Sequence, residues 1–333
     1  MLTRKQNLLE TIRGGNPDRF VKQYEFMTLI NNDPYELKYP DPVQGGPEVL
    51  TGWGVHRSWP EGLPGAFPIH TPESMIVCPD VAEWRKHVHM PETSFSDEEW
   101  EPAVKRAEAV DRDDQFVAAY IAPGIFEQCH YLCEMQATMM NFYEEPEAMA
   151  ELINYIADWE VEYAKDFCKH VHPDALFHHD DWGSQISTFI APAMFEEYIL
   201  PAYKRVYGTY KDLGVELIVH HSDSYAATLV PYMIEMGIDI WQGVMRTNDI
   251  NKLIETYGGQ ISFMGGVDSA LVDYPGWTPE AVEKVVSETL EMYGQSKHYF
   301  IPCQSQGWSI STFPGVYECI DENIDKMSAK MFK

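Results

Sequence analysis

Three stretches of this chain concentrate side chains able to hold a metal or move protons: His178-His179-Asp180-Asp181-Trp182-Gly183, His220-His221-Ser222-Asp223 and Cys303-Gln304. His, Asp and Cys are all zinc ligand types. A His221-x-Asp223 pair at a strand end, joined by Cys303 from far along the chain, would supply three protein ligands and leave a fourth position open, as a catalytic zinc requires. The same spacing also allows His221 and Asp223 to hydrogen-bond each other, with Cys303 packed as a small buried apolar residue. Asp180 and Asp181 stand beside His179. Two carboxylates and an imidazole could orient a substrate, act as acid and base, or support a metal-bound histidine from behind. The competing reading is a helix-capping network.

Further polar residues fall where apolar runs end. Glu25, Trp182, Gln242, Asp268 and Gln304 are candidate substrate contacts on that ground. Cys129-His130 and Cys133 share a predicted helix, where packing is the plainer explanation. His170 and His172 close a helix, where a cation complements the dipole.

The elements that must position these residues alternate. Thr3 caps a helix that stops at Gly14-Gly15. Short strands are predicted at 23–27, 116–122, 174–178, 216–220, 238–241, 261–264 and 299–302, with helices between them from residue 125 onward. An eighth strand is expected before residue 116. Strands alternating with helices point to an α/β fold, a (β/α)8 TIM barrel formed as one domain over 1–333, with an irregular insert at 31–79. No G-x-G-x-x-G follows the first strand, which disfavours a dinucleotide-binding sheet. In such a barrel the active site forms at the C-terminal ends of the strands, which is where the polar residues fall.

Composition bounds the rest. The 333 residues are 45 % hydrophobic, enough for a large core. With 24 basic against 52 acidic residues the net charge is −28, so nucleic acid and anionic lipid are not expected partners. A polyanionic ligand would need a local basic pocket to overcome that field. The six cysteines show no disulfide framework, the first residues turn polar at once, and no apolar run is of membrane-spanning length. A cytoplasmic location is the expectation.

At these residues the chain resembles the uroporphyrinogen decarboxylase superfamily. The likeness lies in Leu2 to Arg19, Tyr143-Glu144-Glu145-Pro146-Glu147, Asp180-Asp181-Trp182-Gly183-Ser184-Gln185, Leu200 to Arg205, His221 to Pro231, Gly265 to Asp268 and Pro314 to Tyr317. The resemblance implies one of two chemistries. Decarboxylation of uroporphyrinogen relies on an arginine-bearing loop after the first strand, whereas 23–27 here reads Gln-Tyr-Glu-Phe-Met. Arginine is the expected device for gripping carboxylates, so its absence there counts against that branch. The other chemistry is methyl transfer with a corrinoid. Those relatives hold zinc with a His-x-Cys pair and a final Cys, which carries over to His221, Asp223 and Cys303. Asp223 in place of Cys is a harder ligand, favouring a Lewis-acid role on oxygen or nitrogen over activation of a thiol. The expectation is a corrinoid-dependent methyltransferase with bound zinc, a small methyl donor or acceptor, and a corrinoid carried by a partner protein. The alternatives are a tetrapyrrole decarboxylase and a corrinoid- or tetrapyrrole-binding protein without turnover.

Overall fold

The computed structural model describes residues 1–333 except Pro64, Glu73 and Ser74. In chain order its elements are α1 (Arg4–Ile12), β1 (Met27–Ile30), α2 (Pro34–Lys38), β2 (Val49–Leu50), β3 (His56–Ser58), β4 (Phe67–Pro68), α3 (Asp97–Glu108), β5 (Phe116–Ile121), α4 (Ile125–Cys133), α5 (Met135–Glu144) and α6 (Pro146–Val171). There follow β6 (Ala175–His179), α7 (Pro192–Met194), α8 (Leu200–Asp212), β7 (Leu217–His221), α9 (Val230–Glu235), β8 (Ile240–Val244), α10 (Ile250–Tyr257), β9 (Ser262–Val267), α11 (Ser269–Val272), α12 (Pro279–Tyr293), β10 (Phe300–Gln304) and α13 (Val316–Met331).

Seven strands form one parallel sheet in the order β1-β5-β6-β7-β8-β9-β10. The sheet curls on itself. Alternate residues of every strand, among them Leu29, Ala118, Phe177, Val219, Ile240, Met264 and Ile301, meet in a single buried interior cluster. The intervening residues, such as Val117, Leu176, Ile218, Trp241 and Phe300, join a second cluster with the helices outside. This is the period-two alternation of a barrel wall. Helix α1 plugs the end where the strands begin, with Leu8 in the interior cluster. Its Thr3 cap forms a reciprocal box with Gln6.

The barrel is thus a TIM-type α/β fold, but its wall has one strand fewer than expected. Among the described residues no eighth strand joins the sheet. The chain before residue 116 supplies a separate antiparallel sheet, β2-β3-β4, instead. The gap between β10 and β1 is filled by side chains. Tyr24 packs edge-on against Phe177 and Trp308, and the Tyr317 hydroxyl donates to the Gln23 carbonyl at 3.2 Å. The first strand starts later than expected, at Met27, because Tyr24 takes a left-handed backbone conformation (φ 59°) that ends any extended run through it. The helix expected over 125–143 is divided into α4 and α5 at Glu134, for the same reason (φ 73°).

The segment between β1 and β3 is anchored to the barrel's outer helices. Trp53 is buried edge-on against Tyr155 and Trp159 of α6. Among the described residues no helix is long and apolar enough to cross a membrane.

One close approach decides where α4 starts. A Cβ on Gly124 would stand 2.5 Å from the Asp180 Cβ, 2.5 Å from the Tyr203 hydroxyl and 2.7 Å from the His178 ring. Only glycine lets this backbone press against the β6 strand end. Gly124→Ala should therefore lower stability by about 1–3 kcal/mol, the usual cost of overpacking, measured by urea denaturation.

A second consequence concerns α13 at the seam. Burial pushes the Asp321 acid up to about 7. Lys22 opposes this, while Asp325, Glu25 and Glu318 add to it. Below about pH 4 both folded and unfolded chains hold this proton. As pH rises from there to about 7 the unfolded chain releases it first, so stability falls across that window and levels off above it. Asp321→Asn should remove the loss. It should stabilise the protein at pH 8 by roughly 1–2 kcal/mol after allowance for solvent screening and change little at pH 4, as followed by melting at the two pH values.

Candidate metal centre at the barrel mouth

Strand register brings the site together. His179 at the end of β6 pairs with His221 at the end of β7, and His221 pairs with Gln242 of β8. Phe177 and Val219, two residues earlier, face the interior, so His179 and His221 do too. Their rings stack with centroids 4.3 Å apart. Their chain neighbours point the other way. His178 bonds Glu160 of α6 at 2.9 Å, and His220 bonds the Tyr207 hydroxyl of α8 at 2.6 Å. Of the adjacent pair His220 and His221, only His221 lines the barrel.

Each inward histidine is held by its Nδ1. That of His179 bonds the Glu127 carboxylate of α4 at 2.8 Å, and that of His221 bonds Gln242 Oε1. Both Nε2 atoms are left available. His221 Nε2 lies 3.9 Å from Asp181 Oδ1. Among the described residues, His179, Asp181 and His221 form the group whose ligand atoms all lie within 4.8 Å of one another. Imidazoles oriented through their far nitrogens by a carboxylate and an amide are the usual support of a metal-bound pair. Two nitrogens and one oxygen suit zinc and the neighbouring divalent metals.

The electrostatics follow from burial. Burial opposes a charge on His179, but Glu127 outweighs it and drives the imidazolium up to about 10. His221 is pushed down to about 3, by burial and then by the His179 charge. Burial lifts the Asp181 acid to about 6, with His179 opposing and Glu127 adding. Without a metal the centre therefore holds one charged pair, Glu127–His179, and one neutral imidazole.

This set differs from the expected His221, Asp223 and Cys303. Gln242 stands between the last strand and His221: its Nε2 approaches the Cys303 sulfur at 3.8 Å while its Oε1 takes His221. The thiol donates to the Gln304 carbonyl at 3.2 Å, and burial pushes its pKa up to about 12, so it is held as a thiol. Asp223 serves through its backbone, its N–H donating to Asp181 Oδ1 at 2.9 Å, while burial and Asp181 push its own acid well up.

Other expected residues are also relocated. Asp180 is fully buried and faces away from the mouth. It accepts from the Phe126 and Glu127 amides at 3.0 and 2.7 Å, from the Trp182 indole at 2.9 Å and from the Tyr203 hydroxyl at 2.5 Å. It caps α4 and so aims Glu127 at His179. Burial, then Glu127, pushes its acid up to about 7 against the bonds from Tyr203 and from the Glu127 and Phe126 amides. Trp182 is buried, stacked on His220 with centroids 3.9 Å apart. Glu25 precedes β1 and accepts from the Lys22 amide at 3.1 Å, at the opposite end of the barrel. Asp268 caps α11 through the Ala270 amide at 3.0 Å. Gln304 alternates outward from Cys303 and reaches Asp273 at 3.2 Å. Gln242, His179 and Asp181 remain at the mouth. Glu127 escaped the sequence reading. Its signal was an acid in the first turn of a helix that starts at a strand's C-terminal end.

A sequence profile described as Uroporphyrinogen decarboxylase (URO-D) matches residues 106–304. That span exceeds half of the chain and includes every strand end just described except β1. The chain belongs to this family. No curated protein matches it in sequence. Among solved structures it is similar to a methyltransferase from Methanosarcina mazei, at 14 % identity and a TM-score of 0.65, over 98 % of this chain and 99 % of that one. A likeness at that identity speaks to the fold. A Thermus thermophilus protein soaked with zinc chloride is far less alike, at 11 % identity and a TM-score of 0.32 over 72 % of this chain and 98 % of that one.

The geometry makes a direct test. Purified protein dialysed against zinc should retain one equivalent per chain. Asp181→Ala and His221→Ala should lose it, Glu127→Gln should weaken it about 10–100-fold, and Cys303→Ser should keep it, by elemental analysis of each variant.

Proposed function

We propose that this family member is a metal-assisted methyltransferase acting on a small substrate with a methylated oxygen or nitrogen. The observation that carries this reading is the His179–Asp181–His221 group, with both histidines oriented by Glu127 and Gln242 and their far nitrogens free. A zinc ion or a similar metal, when held there, supplies a Lewis acid that makes an oxygen or nitrogen a better leaving group for its methyl. The chain's own residues do the rest. Glu127 fixes the tautomer and angle of His179, Gln242 does the same for His221, and Asp223 braces Asp181 through its amide. Asp181 completes the ligand set as a carboxylate, so the proton for the departing heteroatom comes from solvent. In the transfer the carbon–heteroatom bond breaks, the heteroatom keeps the bonding pair, and the methyl passes to the acceptor's nucleophile. We assign that acceptor to a corrinoid carried by a partner protein, because the family that the chain resembles includes corrinoid-dependent transfer.

Decarboxylation of uroporphyrinogen fits the site less well. Eight carboxylates would meet the mouth of a chain of net charge −28.

Cob(I)alamin offered with a methyl aryl ether or a methylamine should be methylated in the presence of the zinc-loaded protein, followed by its absorption spectrum. His221→Ala should reduce the rate at least ~100-fold, as loss of a Lewis-acid site does. Formation of coproporphyrinogen from uroporphyrinogen, with no methyl transfer from any donor tried, would replace this reading with the decarboxylase.

A further inference from the structure

Arg57 on β3 is a cation placed over the same mouth. Its side chain is only 12 % exposed, and its Nη1 pairs with Asp41. The guanidinium lies on the face of Tyr131, 5.5 Å from the ring centroid. Tyr131 follows Glu127 by one turn of α4, so the two share a helix face. Glu127 in turn holds His179 at 2.8 Å. The series Arg57, Tyr131, Glu127, His179 thus runs from the β2-β3-β4 sheet to the metal centre. Among the charged groups nearby, Asp41 and Glu127 favour the Arg57 cation against its burial.

One edge of this guanidinium is unused. Nε is buried and has no hydrogen-bond partner among the described residues, and Asp41, on Nη1, is the side chain it bonds. Buried donors are nearly always paired, so an unpaired one calls for an explanation. The Nε–Nη2 edge is the fork that takes a carboxylate through two parallel hydrogen bonds. The nearby Glu36 competes weakly for it, since burial, then Asp41 and Asp33, hold that acid towards its neutral form. Beside the histidines lies a cluster of aromatic rings. Tyr120 stacks on Phe177 at 5.9 Å and on Trp308 at 6.2 Å, and Phe177 is 6.3 Å from the His221 ring.

We propose that the mouth takes a small organic acid with a flat apolar body. Its carboxylate sits on the Nε–Nη2 edge of Arg57, its body lies on Phe177, Tyr120 and Trp308, and its reacting end points to His179, Asp181 and His221. The nature of that reacting end rests on the methyl-transfer reading above, but the carboxylate anchor does not. Arg57 is the local basic element that a strongly acidic chain needs in order to accept an anion.

The test compares 4-fluorobenzoate with its uncharged analogue 4-fluorobenzamide by fluorine NMR titration of the full chain. The acid should bind at least about tenfold more tightly than the amide, the scale of a charge-assisted bidentate contact. Arg57→Gln should abolish that preference. Arg57→Lys, which keeps the charge but lacks the fork, should retain only part of it, and it serves if the Gln variant does not fold. Failure of the acid to bind, equal binding of acid and amide, or a preference that survives Arg57→Gln would each overturn the proposal. The titration is repeated on His221→Ala after its metal content is measured. A preference kept there without metal supports the anchor independently of the metal chemistry. A preference lost only in Arg57 variants, with zinc uptake also absent from the wild type, would sink the methyl-transfer reading and leave the anchor standing.

Discussion

The mouth of this barrel depends on strand register. In a parallel sheet curled into a wall, residues at alternate positions face the interior, and pairing between neighbours decides which interior residues lie side by side. Here the pairing sets His179 against His221 and His221 against Gln242. A shift of one residue in β6 or β7 would turn these imidazoles out to the helices and bring His178 and His220 inward. The outward pair is fixed by its own bonds to Glu160 and Tyr207. Those buried contacts hold the register that brings His179 and His221 together at the candidate metal centre.

A second layer of support comes from α4. Asp180 commits its carboxylate to the first amides of that helix and to the Tyr203 hydroxyl. Gly124 permits the close approach this requires. The result is that Glu127 arrives at the His179 Nδ1 from the side, and Tyr131, one turn later, faces Arg57. Residues from the strand ends, one helix and the small antiparallel sheet therefore act on one small volume. Its polarity is graded, with a cation at one side, an aromatic floor, and two imidazoles and a carboxylate at the other. Such a gradient suits a substrate with one anionic end and one reacting end.

The acidity of the chain takes on meaning against this background. A net charge of −28 favours solubility and repels anions in general. An anion is admitted only where a buried cation has an unpaired edge, and Arg57 offers one. Residues 23–27 carry no arginine, but position along the chain is a poor guide to position in space. Arg57 of β3, packed on Tyr131 of α4, supplies a cation from elsewhere in the chain.

Much of the fold was legible in the residues themselves. Apolar strand runs, glycine stops and the Thr3 cap mark elements through local physics, and their alternation marks the barrel. That polar residues gather at strand ends was legible too: His179 and Asp181 stood among the catalytic candidates, Gln242 among the substrate contacts and His221 among the ligands. Which of two adjacent histidines faces inward was not, because a sequence gives the period of a strand without its phase. Nor could spacing show that Gln242 would lie between Cys303 and His221, that Asp180 would turn away to cap a helix, or that Glu127 and Arg57 would converge from distant segments. Those outcomes are long-range contacts. They are decided by how strands pair and where helices dock, and no local propensity encodes them.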